Sequence, residues 1–324
     1  MPSYSGVWSL PAVMQAIGAQ TWPSYIDAST RAVFARTATG GQNSLSYINI
    51  TEPGDSVDFG DLLYDDNYAA AGCASSTRGL YAGGTSGAGA VASNSINYIT
   101  MATTGNAVDF GDMIFARTQH GGLSNSTRGL FIVGWQNGAN TTSTIESVTM
   151  ASTGNAVSFG NANNSYYGPG GNQGASSTRG IWAGGYIGSS ATAAIFYIEL
   201  ASEGNSSSFG DLTHQTQLGA GCSSSTRCLY VGGYSWPDFN QLNNIDYMTI
   251  ASTGNSIDFG DMTIGGYRLS AVSSSTRGIF AGASGNNNIN YVTIASLGNA
   301  TDFGDLIESG GPSTGTSNCH GGLS

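Results

Sequence analysis

The sequence contains no lysine: its nine basic residues are all arginines, and charged residues of both signs make up only 9% of the chain. A formal net charge of -11 without a cationic cluster argues against general nucleic-acid binding, which needs basic side chains gathered against phosphates. Cysteine is scarce. Cys73, Cys222, Cys228 and Cys319 form no CxxC pair and no Cys/His ligand spacing, so they read as small buried residues, and no metal or cofactor site is expected. No apolar run reaches the length of a membrane span, so no membrane insertion is expected. The first residues also lack the basic and apolar regions of a classical export signal. Helix-favouring residues are few beside 49 glycines. Low charge with few aliphatics would fit disorder, but periodic apolar segments and 10% aromatic residues argue against it.

What fills the chain instead is a repeat. A Ser-Thr-Arg triplet occurs six times, ending at Arg31, Arg78, Arg128, Arg179, Arg227 and Arg277, at spacings of 47, 50, 51, 48 and 50 residues. A Phe-Gly pair follows each one, at Phe59-Gly60, Phe110-Gly111, Phe159-Gly160, Phe209-Gly210, Phe259-Gly260 and Phe303-Gly304. A period of about 50 residues belongs to propeller-type arrays.

Each copy reads as four strands. The first is small and glycine-rich, as in Gly219-Ala220-Gly221-Cys222-Ser223-Ser224, which suits the crowded axis of a ring. The second is apolar, as in Gly180-Ile181-Trp182-Ala183-Gly184-Gly185. The third alternates: Ile245, Tyr247 and Thr249 fall on one face, Asp246, Met248 and Ile250 on the other. Apolar residues on both faces suit a sheet packed between two others. The fourth carries the Phe-Gly pair, whose ring is placed to wedge between blades. Ala-Ser-Thr-Gly-Asn and its variants join the third and fourth strands, with Gly and Asn tolerating the positive φ of tight turns. The expected fold is an all-β, six-bladed β-propeller over residues 29–324, preceded by a leader, residues 1–28.

The leader holds one helix signal. Ser9 can cap it, Pro11 fits its first turn, and Leu10, Val13, Met14 and Ile17 share a side. The first copy lacks a glycine-rich first strand, whereas the chain ends on Asn318-Cys319-His320-Gly321-Gly322-Leu323-Ser324, worded like Gln119-His120-Gly121-Gly122-Leu123-Ser124. The expectation is that residues 318–324 supply the missing strand of blade 1 and close the ring, removing free sheet edges.

The Gly-Gly pairs at Gly83-Gly84, Gly184-Gly185 and Gly232-Gly233, each followed by a loop and an alternating third strand, resemble the kelch-repeat propellers over about residues 29 to 324. The match departs at Val133-Gly134, Gly282-Ala283 and Ala35-Arg36, and in a Phe where that family usually has Trp in the last strand. The wording Ser-Thr-Arg-Gly and Asp-Phe-Gly-Asp more closely resembles repeat proteins of marine tailed phages. The leader Gly-Val-Trp-Ser-Leu, ending in Thr21-Trp22-Pro23, is similar to the start of phage tail-appendage proteins. That resemblance implies a virion protein assembled in the host cytoplasm, attached to other virion proteins through residues 1–23.

The six arginines invite two readings, a ring of anion sites or a structural tie. Asp61, Asp112, Asp211, Asp261 and Asp305 follow Phe-Gly, with Asn161 in the third copy, and an arginine fork can hold a carboxylate or backbone carbonyls. The shared register favours the tie. Recognition is expected where the repeat varies, in the loops between second and third strands and between blades. There Trp135, Tyr167, Tyr186, Tyr234, Trp236, Phe239 and Tyr267 stand among Asn, Asp and Gln, a mixture suited to sugars or to a protein partner. Other varied stretches include 64–68, with Asp65 and Asp66, two adjacent acids that read as a solvated loop. His120, His214 and His320 assemble no catalytic triad, and His120 and His320 read as equivalent first-strand positions. The expected protein is non-enzymatic: a tail-fibre or appendage adhesin for a host-surface glycan or receptor, or a decoration or filament subunit whose loops contact sister copies as a homo-oligomer. A glycan-active enzyme is the third class, disfavoured by the missing acid/base pair.

Overall fold

Each Ser-Thr-Arg triplet starts a strand that pairs antiparallel with the strands before and after it, and a fourth strand bearing Phe-Gly completes the sheet. In blade 5 the four are Ala220–Ser223, Arg227–Val231, Asn244–Thr249 and Ile257–Asp261. Six such sheets form a closed six-bladed β-propeller. This is a computed structural model, and it describes residues 30–36, 43–64, 70–85, 91–137, 140–307 and 312–323. The helix expected in the leader and the acids Asp65 and Asp66 lie outside the described residues.

Burial follows the pattern of each strand. The outer strand of blade 2, Val108–Asp112, buries Phe110 and leaves Val108, Asp109 and Asp112 exposed. In all six blades the pairing of third and outer strands slips at this point: Ile96 faces Gly111 while Asn97 faces Asp109, so Phe110 is the extra residue of a β-bulge. The bulge turns the phenyl ring into a neighbouring blade. Accordingly there is no single core but six apolar layers, each shared by two adjacent blades. Val33, Leu45 and Phe59 of blade 1, for example, pack with Tyr81, Ile99 and Met101 of blade 2. Each fully buried Phe contributes about 1.5–3 kcal/mol.

The ring closes through its own last strand, but not through the residues expected. Pro312–Ser317 pairs with Arg31–Arg36 as the inner strand of blade 1, with Ala32 opposite Ser317 and Phe34 opposite Gly315. Residues 318–324 are therefore not the closing strand. Asn318 begins the turn instead: its Oδ1 accepts from Arg31 N at 2.9 Å, as Asn125 Oδ1 accepts from Arg128 N and Ser75 Oγ from Arg78 N. The likeness of 318–324 to 119–124 is one of wording; register is set by the cap before the arginine. Beyond Asn318 the chain hooks into the end of the central bore, where His320 Nε2 lies 3.0 Å from Ala74 O and Gly321–Leu323 forms a single 3-10 turn.

Inner strands of Gly, Ala, Ser and Cys let the six blades converge on that bore. A Cβ at Gly72 would meet Gly315 O at 2.5 Å. The other end of the bore is stoppered by Asn172 of blade 4, whose amide donates from Nδ2 to Gly315 O at 2.5 Å and accepts at Oδ1 from Gly315 N at 2.9 Å. The space left inside is about 30 Å3, room for a water or two and no larger ligand. Cys73 and Cys222 line it from opposite blades, and burial pushes the Cys73 thiol up to about 12. They are buried small residues, as the sequence suggested.

Candidate functional site: an aromatic arc on the loop face

The turns between first and second strands, and between third and fourth, share one face of the ring; the remaining connections share the other. On the turn face the repeat motifs hold neighbouring blades together. Arg31 Nη1 donates to Met101 O of the next blade at 2.8 Å, Arg78 to Met150 O at 3.0 Å and Arg128 to Leu200 O at 2.8 Å. Arg179, Arg227 and Arg277 repeat the contact on Ile250, Ile294 and Ile50, each at 3.0 Å, the last crossing from blade 6 to blade 1. Five of the six guanidinium groups also lie 4.5–5.0 Å from a tyrosine of their own third strand, while Arg128 lies 5.1 Å from Phe159. The arginines therefore tie blade to blade through carbonyls.

The repeat aspartates serve differently from the carboxylate role considered for them. Their backbone is the tie: Asp61 N donates to Asn106 Oδ1 at 3.1 Å, Ala107 N donates to Asp61 O at 2.7 Å, and Gly105 N donates to Phe59 O at 2.8 Å. The same three-bond clasp recurs at every junction, with Asp55 replacing the asparagine where blade 6 meets blade 1. The side chains of Asp61, Asp112, Asp211 and Asp305 are exposed and that of Asp261 is half-buried. Asn161 takes the same place without loss because only the backbone is used.

On the loop face, all seven aromatic residues singled out in the sequence form one continuous chain of ring contacts. Trp135 meets Tyr167 at 4.8 Å, Tyr167 meets Tyr186 at 5.5 Å, and Tyr186 meets Trp236 at 5.6 Å. Trp236 continues to Phe239 at 4.9 Å, Phe239 to Tyr234 at 5.8 Å, and Tyr234 to Tyr267 at 5.1 Å. Arg268 stacks on Tyr267 at the far end. The arc spans blades 3, 4 and 5 and the connection into blade 6. Six of its rings are half-buried, and Phe239 is 51% exposed.

Local chemistry explains its placement. Three of the rings follow the glycines that end a second strand: Gly134-Trp135, Gly185-Tyr186 and Gly233-Tyr234. Gly185 and Gly233 have φ near +105°, which turns the chain outward, and a Cβ on Gly185 would meet the Tyr166 ring at 2.8 Å. Short paired strands then hold the rings: Trp135–Gln136 pairs with Asn140 and Thr141 and with Arg117–Thr118, and Tyr234–Ser235 pairs with Thr216 and Gln217. At the corresponding position blade 2 has Thr85 and blade 6 has Ser284, so the arc covers only part of the ring. Beneath it, Trp182 Nε1 donates to the hydroxyl of buried Tyr166.

One supporting feature had escaped sequence reasoning. Arg117, an arginine outside the repeat, is 0% exposed and pairs with Glu146, 1% exposed, while its Nη1 donates to Val133 O at 2.9 Å. Glu146 Oε2 in turn accepts from Ile114 N at 2.8 Å. Burial pushes the arginine down to about 9, which leaves it charged at neutral pH. The pair anchors the strand on which Trp135 rests. Its one signal is an acid at an inward position of a third strand, where Asp246 and Asn290 also stand. His120 packs edge-on against Phe131 beside it, with both ring nitrogens lacking hydrogen-bond partners, and burial followed by Arg117 holds its pKa well below the usual value. His320 lies beyond the closing strand, so the two histidines are not equivalent first-strand residues. His214 is exposed on a long outer strand.

Among the described residues no cluster of His, Cys, Asp and Glu has metal-binding geometry, and no helix is long and apolar enough to cross a membrane. No family model matches the chain, and no curated protein matches it.

Proposed function

We propose that this protein is a non-enzymatic recognition module that binds a ligand through the aromatic arc, serving as the adhesive head of a phage tail fibre or appendage. The observation that carries the binding half is the unbroken, half-exposed path of seven rings held on paired strands. Partly exposed aromatic side chains placed on a rigid scaffold supply contact area at low entropic cost. The virion half rests on the repeat and leader wording. Thr30 opens onto the turn face, opposite the arc, so a tether through residues 1–23 would leave the arc facing outward.

The test is capture of the intact protein by host-cell envelope fractions, with Trp236→Ala as comparison. Binding that the wild type shows and this variant loses, at an unchanged melting temperature, is the expected result. Equal binding by both overturns the assignment to the arc. The second reading, a decoration or filament subunit, would have the arc contact sister copies; sedimentation would then show a wild-type oligomer that Trp236→Ala dissolves.

A further inference from the structure

The arc's polar groups and the protein's charge together restrict what it can hold. Among the described residues, the hydroxyls of Tyr167, Tyr234 and Tyr267 and the indole N–H groups of Trp135 and Trp236 make no hydrogen bond. Donors and acceptors thus recur along the whole length of an otherwise apolar path. A purely apolar partner would leave these groups desolvated and unpaired, at about 1–3 kcal/mol each where burial is complete. The occupant must be apolar and hydroxylated in alternation.

Charge excludes one version of such a ligand. Six of the nine arginines are spent on blade ties and Arg117 on a buried pair; of the other two, Arg36 lies in blade 1 and Arg268 stacks at the extreme end of the arc. Exposed Asp238 lies between Trp236 and Phe239 in sequence, and the net charge is -11. A sulfated or uronate-bearing chain would meet a repulsive field with no row of cations to hold it.

Length is the third restriction. Successive ring centroids step by 4.8–5.8 Å, and ring planes turn by 67°, 86° and 78° at the Trp135–Tyr167, Tyr186–Trp236 and Trp236–Phe239 contacts. The path offers faces and edges in turn along several sugar lengths. It is not one cup around one residue.

We infer that the arc binds an extended, uncharged polysaccharide whose sugar rings lie along successive aromatic side chains. This rests on the arc being the recognition surface and narrows what it recognises. The intact protein is to be titrated with mannan, β-glucan and galactan, with alginate and heparin as anionic chains of similar length, and with an oligosaccharide ladder from whichever neutral polymer binds. The expected result is at least tenfold preference for a neutral chain and affinity rising with length across several sugars. Trp135→Ala and Trp236→Ala should each cost about tenfold on long oligosaccharides, with only one of them affecting the shortest that binds.

Binding confined to alginate or heparin, or affinity independent of length, overturns the inference. So does failure of every neutral chain. If host-envelope capture still depends on Trp236 in those cases, the arc remains a recognition surface for another chemistry. Neutral-chain binding untouched by either tryptophan variant overturns the inference, and with envelope capture equally untouched it overturns the proposed function as well.

Discussion

The two faces of the ring are built by opposite rules. On the turn face every blade repeats the same arginine-to-carbonyl tie and the same backbone clasp, so six junctions are chemically alike, including the one that closes the circle. On the loop face only blades 3, 4 and 5 carry an aromatic ring after the second strand, and the contacts there join residues with no repeat counterpart. Cohesion is distributed around the circle, whereas the proposed binding surface is concentrated on one arc of it. A change on the turn face should therefore act on stability, and a change on the loop face on binding.

The largest effect expected is at the closure. Removing residues 312–324 takes away the inner strand of blade 1 and leaves the inner edge of Arg31–Arg36 unpaired. The loss is comparable with the whole stability of a typical domain, about 5–15 kcal/mol, so calorimetry should show no cooperative transition. Removing only residues 319–324 keeps the strand and the Asn318 cap, and should lower the melting temperature by a few degrees at most. A collapse with the short deletion would show that the hook, rather than the strand, closes the ring.

Next comes the clasp. A Cβ at Gly60, whose φ is +143°, would meet Gly105 O at 2.5 Å, so Gly60→Ala should cost about 1–3 kcal/mol in chemical denaturation. Asp61→Asn, one residue on, keeps every clasp bond and should stay within about 0.5 kcal/mol. The reverse order would return the aspartate side chain to the tie.

Acid should reach the blade 2–3 junction through His120. Its folded pKa lies well below the model-peptide value of about 6.5, so the unfolded chain takes up the proton first. The stability contributed by burying the neutral ring is complete above about pH 6.5 and is lost as pH falls from there toward the folded pKa, at up to about 1.4 kcal/mol per pH unit. His320 is shifted the same way and adds to the slope. Melting temperatures between pH 7 and pH 4 should fall less steeply in His120→Leu; an unchanged slope would show that His120 is solvated.

The smallest effect on stability is expected in the arc. Phe239→Ala, at a ring 51% exposed, should shift unfolding by about 0.5–1 kcal/mol or less. A large loss would make the arc a cover for the blades and blur the division between the faces.

Most of the turn face was legible in the sequence because each device recurs six times with one wording. Where the reading went astray, wording and geometry part. Residues 318–324 copy the wording of 119–124, yet the closing strand is set by the distance of Asn318 from Arg31 across the ring. Asp after Phe-Gly draws the eye as a charge, but what matters there is a peptide group in a bulge. The arc's members were identifiable one by one as aromatics in variable loops. Their continuity depends on contacts between different blades, such as Tyr186 with Trp236, which no local pattern encodes. The Arg117–Glu146 pair was hidden for a like reason, its members lying 29 residues apart, one on the connection into blade 3 and one on that blade's third strand.

The break between Asn318 and Thr30 falls inside a turn that the other five blades make without interruption. Nothing distinguishes the bonds at this turn from those at the rest: Asn318 N still reaches Arg31 O at 3.2 Å, as Asn125 N reaches Arg128 O at 3.0 Å. The fold is thus indifferent to where along the circle its polypeptide is severed. Circular permutants opened before Arg78, Arg128, Arg179, Arg227 or Arg277, with the present ends joined, would describe the same ring, and each successive one would move the opening one blade further round relative to the arc.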